Sequence, residues 1–290
     1  MPITTSTMNR IITDFFEDVD FEKEGREYLE PLFSKLCEND DFLSIKRIYE
    51  KDMLDKDAFM NSVDKLSEKT GIHNYTVGLL CLILLTGELK KKYSLNGYGM
   101  DLYRHTIIDL RYKANECFEV KGVWGTFVAD WLFKYFLLGR FAFGRLQHEL
   151  FEVPEQFVPL TKTKTAVKIH IPRSGEPLTP ESIDKSLAVA KQFFGFDGTI
   201  PVVCSSYLLY DKLLPLYPSE SNLKRFAERF TILSQTDDAP GDYPNMWRLF
   251  DMDYTGNIDD YPENSRLHRA VKQYLKDGGI TGVALGFFFF

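Results

Sequence analysis

One stretch, residues 165–206, constrains the fold more tightly than any other. Val167, Ile169 and Ile171 alternate with Lys168 and His170, which is the period of a strand with one apolar face. Pro172 cannot donate to a ladder and stops the strand. The loop 173–178 follows, and then Thr179-Pro180, a hydroxyl cap ahead of a proline at the first helical position. Ile183, Leu187, Ala190 and Phe194 then fall on one helical face. Beyond a glycine-containing turn, residues 199–206 form a second strand. Strand, helix and strand in this order make a β-α-β unit, whose ligands bind outside the carboxyl ends of the strands. That topology brings His170, the loop 173–178 and the segment 204–206 to one mouth.

What surrounds this unit divides the chain in two. Residues 8–137 carry helical periodicity throughout, with helices expected at 74–92, 101–118 and 123–138. The most apolar run, residues 75–85, falls well short of the roughly 20 residues a membrane span needs and reads as a buried core helix. The character changes near Gly139. Residues 140–153 read as a strand forming an antiparallel hairpin with the central one. A short helix is expected near 210–216 and another over 222–230. Strands are expected at 230–233 and 246–250, a helix at 265–276 and a final strand at 283–290. Phe287-Phe-Phe-Phe290 reads as buried on both faces. The fold class is therefore α+β: an all-helical domain at 1–137 and a domain at 138–290 with helices on a mixed sheet.

The formal net charge of −7 argues against a general nucleic-acid binder, which needs a basic field. Four cysteines, Cys37, Cys81, Cys117 and Cys204, lie far apart with no paired spacing. They read as free thiols in a reducing cytoplasm rather than a zinc or disulfide framework. Residues 1–16 lack the basic start and apolar run of a signal peptide. Asp251, Asp253, Gly256 and Asp259 match the opening of a calcium loop, but Pro262 stands where its bidentate glutamate would be, so a capped polar turn is expected and no metal.

Four groups of residues carry a family likeness. They are Trp131-Leu132, Leu138-Gly-Arg140 and Gly144-Arg-Leu-Gln147; His170-Ile-Pro172 and residues 175–181; residues 204–209 with Ser221-Asn222, Phe226, Arg229 and Phe230; and Arg248-Leu-Phe250, Leu267-His-Arg-Ala270, Gly278-Gly279 and Gly286-Phe287. In this order they resemble a bacterial family of acyltransferase-domain proteins, which joins a helical N-acyltransferase N-terminal domain to a GNAT-like C-terminal domain. The resemblance covers about 125–290. It implies a GNAT-like sheet domain and transfer of an acyl group from acyl-coenzyme A to a small-molecule or protein amine, without a metal. It also implies that the cofactor pyrophosphate sits at the loop leading into the helix, where Arg173, Ser174, Gly175 and Thr179 stand by position.

Amine acylation needs a base, and His170 on the polar face of the central strand is the candidate. Cys204 is a candidate acyl-accepting nucleophile, and Ser206 a hydroxyl contact. The resemblance offers Tyr210 as the acid that protonates the leaving thiolate. His148 and Glu149 fall on opposite faces of their strand and cannot form a dyad there. The loop departs from the family pattern: it has one glycine, Glu176, Glu181 and Asp184 add negative charge, and Pro177 and Pro180 remove donors. Cys204-Ser-Ser-Tyr207 stands where the family has Cys-His-Ser-Trp. These departures motivate an alternative, a non-catalytic binding protein on a degenerate GNAT scaffold. A hydrolase using Cys204 or Ser206 is a third reading, and a homo-oligomer is open to all of them.

Overall fold

The structure, a computed structural model, describes residues 5–290, with side chains from Arg10 onward. The chain forms two compact units, one through Phe141 and one from Ala142 to Phe290.

The first unit is helical: α1 (Thr5–Val19), α2 (Lys23–Leu36), α3 (Asp40–Glu50), α4 (Lys56–Thr70), α5 (Asn74–Leu95), α6 (Met100–Ile107), α7 (Asp109–Lys121) and α8 (Ala129–Phe136). Every residue of α5 from Thr76 to Thr86 is buried, so this helix is enclosed on its whole circumference. Helices α1, α3, α4 and α8 pack against it. Among the described residues no helix is long and apolar enough to cross a membrane.

Two helix expectations need correction here. The helix over 101–118 is two, α6 and α7, meeting at Ile108. Thr106, Ile107 and Ile108 are three β-branched residues in a row, which crowd a continuous helix. The helix over 123–138 begins only at Ala129. Before it the backbone lies flat on the start of α5: Thr126 N donates to Tyr75 O at 2.9 Å, and Thr76 Oγ1 donates to Trp124 O at 2.9 Å.

From the last residue of the first unit onward the chain forms β1 (Phe141–Phe143), β2 (Leu146–Glu152), α9 (Val158–Thr161), β3 (Thr165–His170), α10 (Pro180–Phe193), β4 (Pro201–Ser206), α11 (Asn222–Ala227), β5 (Thr231–Asp237), α12 (Trp247–Phe250), α13 (Arg266–Lys276) and β6 (Gly282–Phe289). The sheet order is β1-β2-β3-β4-β6-β5. Strands β3 and β4 run parallel, as the β-α-β reading requires, and β2 pairs antiparallel with β3. One face of the sheet places Leu146, Val167, Ile169, Val202, Cys204 and Ala284 in the main core, with Ile183 and Leu187 of α10 and Val271 and Leu275 of α13. The other face carries a smaller core of Val153, Ala166, Val203 and Phe287.

The expected strand over 140–153 is in fact two, folded at Gly144, whose φ of +57° suits a residue without Cβ. Ser186 of α10 holds this turn, donating to Phe143 O and accepting from Leu146 N at 3.0 Å. Ser186→Ala should leave both groups without their buried partner. The expected cost is about 1–2 kcal/mol, after alanine's better helix propensity is set against it. A lower urea midpoint at an unchanged slope would report it.

Three other expectations are revised. The strand expected at 246–250 is instead the short helix α12, preceded by Met246 as its cap. Where a short helix is expected near 210–216, the chain instead has two separate 3₁₀ turns, Tyr207–Leu209 and Leu214–Leu216, the second containing Pro215. The final strand is interior by hydrogen bonding, between β4 and β5, but Phe289 is 44% exposed. The pairing with β5 ends at Thr231 and Phe287, so β6 runs past its neighbour and uncovers Phe289.

Candidate active site

The mouth is built by two strands that part. The β3–β4 register consists of Val167 with Val202 and Lys168 with Val203. On their outer edges pairing continues, β2 with β3 to Gln147–His170 and β4 with β6 to Ser206–Ala284. Beyond Lys168 and Val203 the two parallel strands therefore keep their outside neighbours and lose each other. The sheet opens at their carboxyl ends, where residues 169–170 face residues 204–206 across a gap.

Alternation sorts the side chains on the two banks. His170 shares a face with Lys168, Gln147 and Glu149, and Ser205 shares that face on β4. Glu149 stands diagonally across from His170 in the antiparallel ladder, and its Oε1 lies 3.3 Å from His170 Nε2. Glu149 is 4% exposed, so this carboxylate acts where water screens it little. A carboxylate at this distance favours the imidazolium form when the ring takes up a proton. Glu149 is the residue that sequence reasoning missed. It cannot pair with His148 on its own strand, and only the register reveals its partner on the next.

The loop between β3 and α10 carries the other predicted residues. Arg173 is exposed, with Nη2 at 3.0 Å from Asp251 Oδ1. Ser174 Oγ accepts from Glu176 N at 3.3 Å. Gly175 has φ +78° and open space around it. Thr179 caps α10, accepting from Ser182 N at 3.2 Å. The negative charge expected from Asp184 is met by Arg229, whose Nη1 donates to Asp184 Oδ1 at 2.5 Å. Glu176 and Glu181 remain exposed. From the β1–β2 turn, Arg145 reaches the loop at two carbonyls, Glu176 O and Pro172 O, each at 2.9 Å.

The remaining candidates are Cys204, Ser206 and Tyr210. Cys204 is in the main core on the opposite face, and burial pushes its thiol up to about 12. Ser206 shares that face, and its Oγ accepts from Leu208 N at 3.1 Å. Tyr210 is fully buried and donates to Asp237 Oδ1 at 2.6 Å, while Lys212 donates to Oδ2 at 3.0 Å. Burial, then the Asp237 hydrogen bond, pushes the Tyr210 hydroxyl above its ordinary value. This geometry assigns the tyrosine's proton to a carboxylate. Cys204→Ala should leave turnover within about twofold and cost about 1–2 kcal/mol of stability as a small buried residue loses its sulfur. Alkylation of the native protein at pH 8 should spare this thiol, with the modified cysteines identified by mass spectrometry.

Among the described residues no cluster of three or more His, Cys, Asp or Glu is arranged to hold a metal ion. At residues 255–260 Thr255 and Asn257 bond to Asp260, and Asn257 caps the turn.

Residues 140–288 match the family model of the GNAT-like C-terminal domain, and residues 11–138 match that of the N-acyltransferase N-terminal domain. The chain belongs to this family. Solved acyltransferases share the fold of this GNAT-like family member. One, in complex with decanoyl-CoA and teicoplanin, is 19% identical with a TM-score of 0.73, covering 96% of this chain and 87% of that one. A mutant acyltransferase in complex with octanoyl-CoA is likewise 19% identical over the same shares, with a TM-score of 0.74. Another, in complex with decanoyl-CoA, is 17% identical with a TM-score of 0.63, covering 96% of this chain and 98% of that one. Among curated proteins, no sequence matches this acyltransferase-family chain.

Proposed function

We propose that the protein transfers an acyl group from acyl-coenzyme A to the amine of a small molecule or protein, in the cytoplasm of a bacterium. The observation that carries this reading is the Glu149–His170 pair at the point where β3 and β4 part, in a chain of the GNAT-like N-acyltransferase family. The gap exposes main-chain groups that suit the two amides of the coenzyme A arm. Arg173 and the first turn of α10 suit its phosphates, in the direction of the helix dipole. Medium-length chains are the natural first choice, since the similar structures hold octanoyl- and decanoyl-CoA.

In this reading the neutral amine attacks the thioester carbonyl carbon. A C–N bond forms, the C–S bond breaks, and coenzyme A leaves as the thiolate. The surplus proton on nitrogen passes to the His170 imidazole and from there to the thiolate or solvent. Glu149 steadies the imidazolium while it exists.

The exposed carboxylates Glu176 and Glu181, with Pro177 and Pro180, favour one competing reading, a binding protein on this scaffold that does not turn over. Thermal midpoints with free coenzyme A and with C2 to C12 thioesters test the ligand. A thioester at a hundredfold excess over its dissociation constant adds about 2.7 kcal/mol to stability. A midpoint that rises with a medium-chain thioester supports binding, and turnover then separates the two readings. No rise with any thioester would remove the acyl-coenzyme A reading.

A further inference from the structure

We propose that Arg145 is the residue that shapes the phosphate end of the acyl-coenzyme A site, as a positioning residue that touches no substrate. The inference rests on the acyl-coenzyme A reading above.

Three observations carry it. Arg145 is 8% exposed, although it is an arginine in a surface turn. Its Nη1 donates to Pro172 O and its Nε to Glu176 O, both at 2.9 Å, so one planar guanidinium grips the loop on both sides of Arg173, Ser174 and Gly175. The turn that carries Arg145 is itself fixed to α10 through Ser186, which bonds to Phe143 O and Leu146 N. The brace closes on itself: turn to helix through Ser186, and turn to the loop preceding that helix through Arg145. It sets the loop at a defined height over the first turn of α10.

Such a brace has a particular value in this chain. A glycine-rich loop would wrap phosphates with its own amides. Here Gly175 is the only glycine of the loop, Pro177 and Pro180 have no N–H, and the Thr179 hydroxyl is engaged with Ser182 N. Phosphate affinity then depends on the placement of a few groups, Arg173 among them, and placement is what two bonds from a buried guanidinium supply. Lysine cannot reproduce it, because one ammonium does not present the fork that reaches two carbonyls in fixed directions.

The test compares two thioesters that differ only beyond the pantetheine arm. Calorimetric dissociation constants are measured for octanoyl-CoA and octanoyl-pantetheine with wild type, Arg145→Ala and Arg145→Lys. Arg145→Ala is expected to weaken octanoyl-CoA by about 10- to 100-fold, the scale of losing a well-placed site, while octanoyl-pantetheine binds as to wild type. Arg145→Lys is expected to recover a part of the loss only, and it carries the same comparison should the alanine variant fail to fold. Equal weakening of both thioesters would make Arg145 a general structural residue and overturn the proposal. Unchanged affinity for both would overturn it as well. If wild type itself binds the two thioesters equally, the assignment of the phosphates to this loop is wrong and the proposal falls with it, whatever Arg145 does.

Discussion

His170→Ala is expected to lower kcat by about 10²- to 10⁴-fold, the range for loss of a positioned general base. The KM for acyl-coenzyme A should stay within about threefold, because in the proposed reaction the imidazole takes a proton from the acceptor nitrogen and does not hold the coenzyme arm. Glu149→Gln should have a smaller effect, about 10- to 100-fold in kcat, the scale of removing a partner that orients a histidine. The amide can still approach Nε2 but carries no charge to hold an imidazolium. The double variant should be little worse than His170→Ala alone, since residues that act as one unit are not additive. Steady-state kinetics on the two single variants and the double variant check this. Losses that multiply in the double variant would show that Glu149 and His170 act separately.

The second large effect is on stability and lies in the helical unit. A Cβ at Gly125 would sit 2.4 Å from the carbonyl carbon of Tyr75 and 2.6 Å from Thr76 N and Tyr75 O. These are backbone atoms at the start of the enclosed helix α5, and no rotamer can move them aside. Gly125→Ala must push the two segments apart, breaking the hydrogen bonds from Thr126 N to Tyr75 O and from Thr76 Oγ1 to Trp124 O. Overpacking together with two lost buried hydrogen bonds amounts to about 3–5 kcal/mol. That is a large part of a marginal total of about 5–15 kcal/mol. The unfolding midpoint should fall by about 10 °C, read by circular dichroism at 222 nm. Gly175→Ala serves as a control, because its Cβ would meet nothing within 4 Å, although φ +78° adds local strain.

How far the sequence reached follows from how local each signal is. The β3–α10–β4 unit was legible because its alternation, its Thr179-Pro180 start and its helical face all lie within one continuous segment. Helix α5 was legible for the same reason, its apolar run leaving no polar face. The Glu149–His170 pair was not, because it depends on register: Glu149 meets a residue two positions along the neighbouring strand, and one residue of slippage would turn it to the other face. Arg145 was hidden in a motif that read as strand, since nothing local marks Gly144 as a turn with positive φ or Ser186 as its anchor. Residues 246–250 misled because a short apolar run has the same appearance in a strand and in one buried helical turn. Cys204 read as a candidate from its place at a strand end, whereas its face and burial emerge only from the pairing.

Acyl transfer to an amine is tested directly by release of coenzyme A thiol from octanoyl-CoA, followed with and without a panel of amines, in wild type and in His170→Asn. Release is expected to require both the thioester and an amine, to match amide formed mole for mole, and to fall by at least about 10²-fold in His170→Asn. Release that proceeds equally without any amine, or that is unaffected by His170→Asn, would contradict this chemistry.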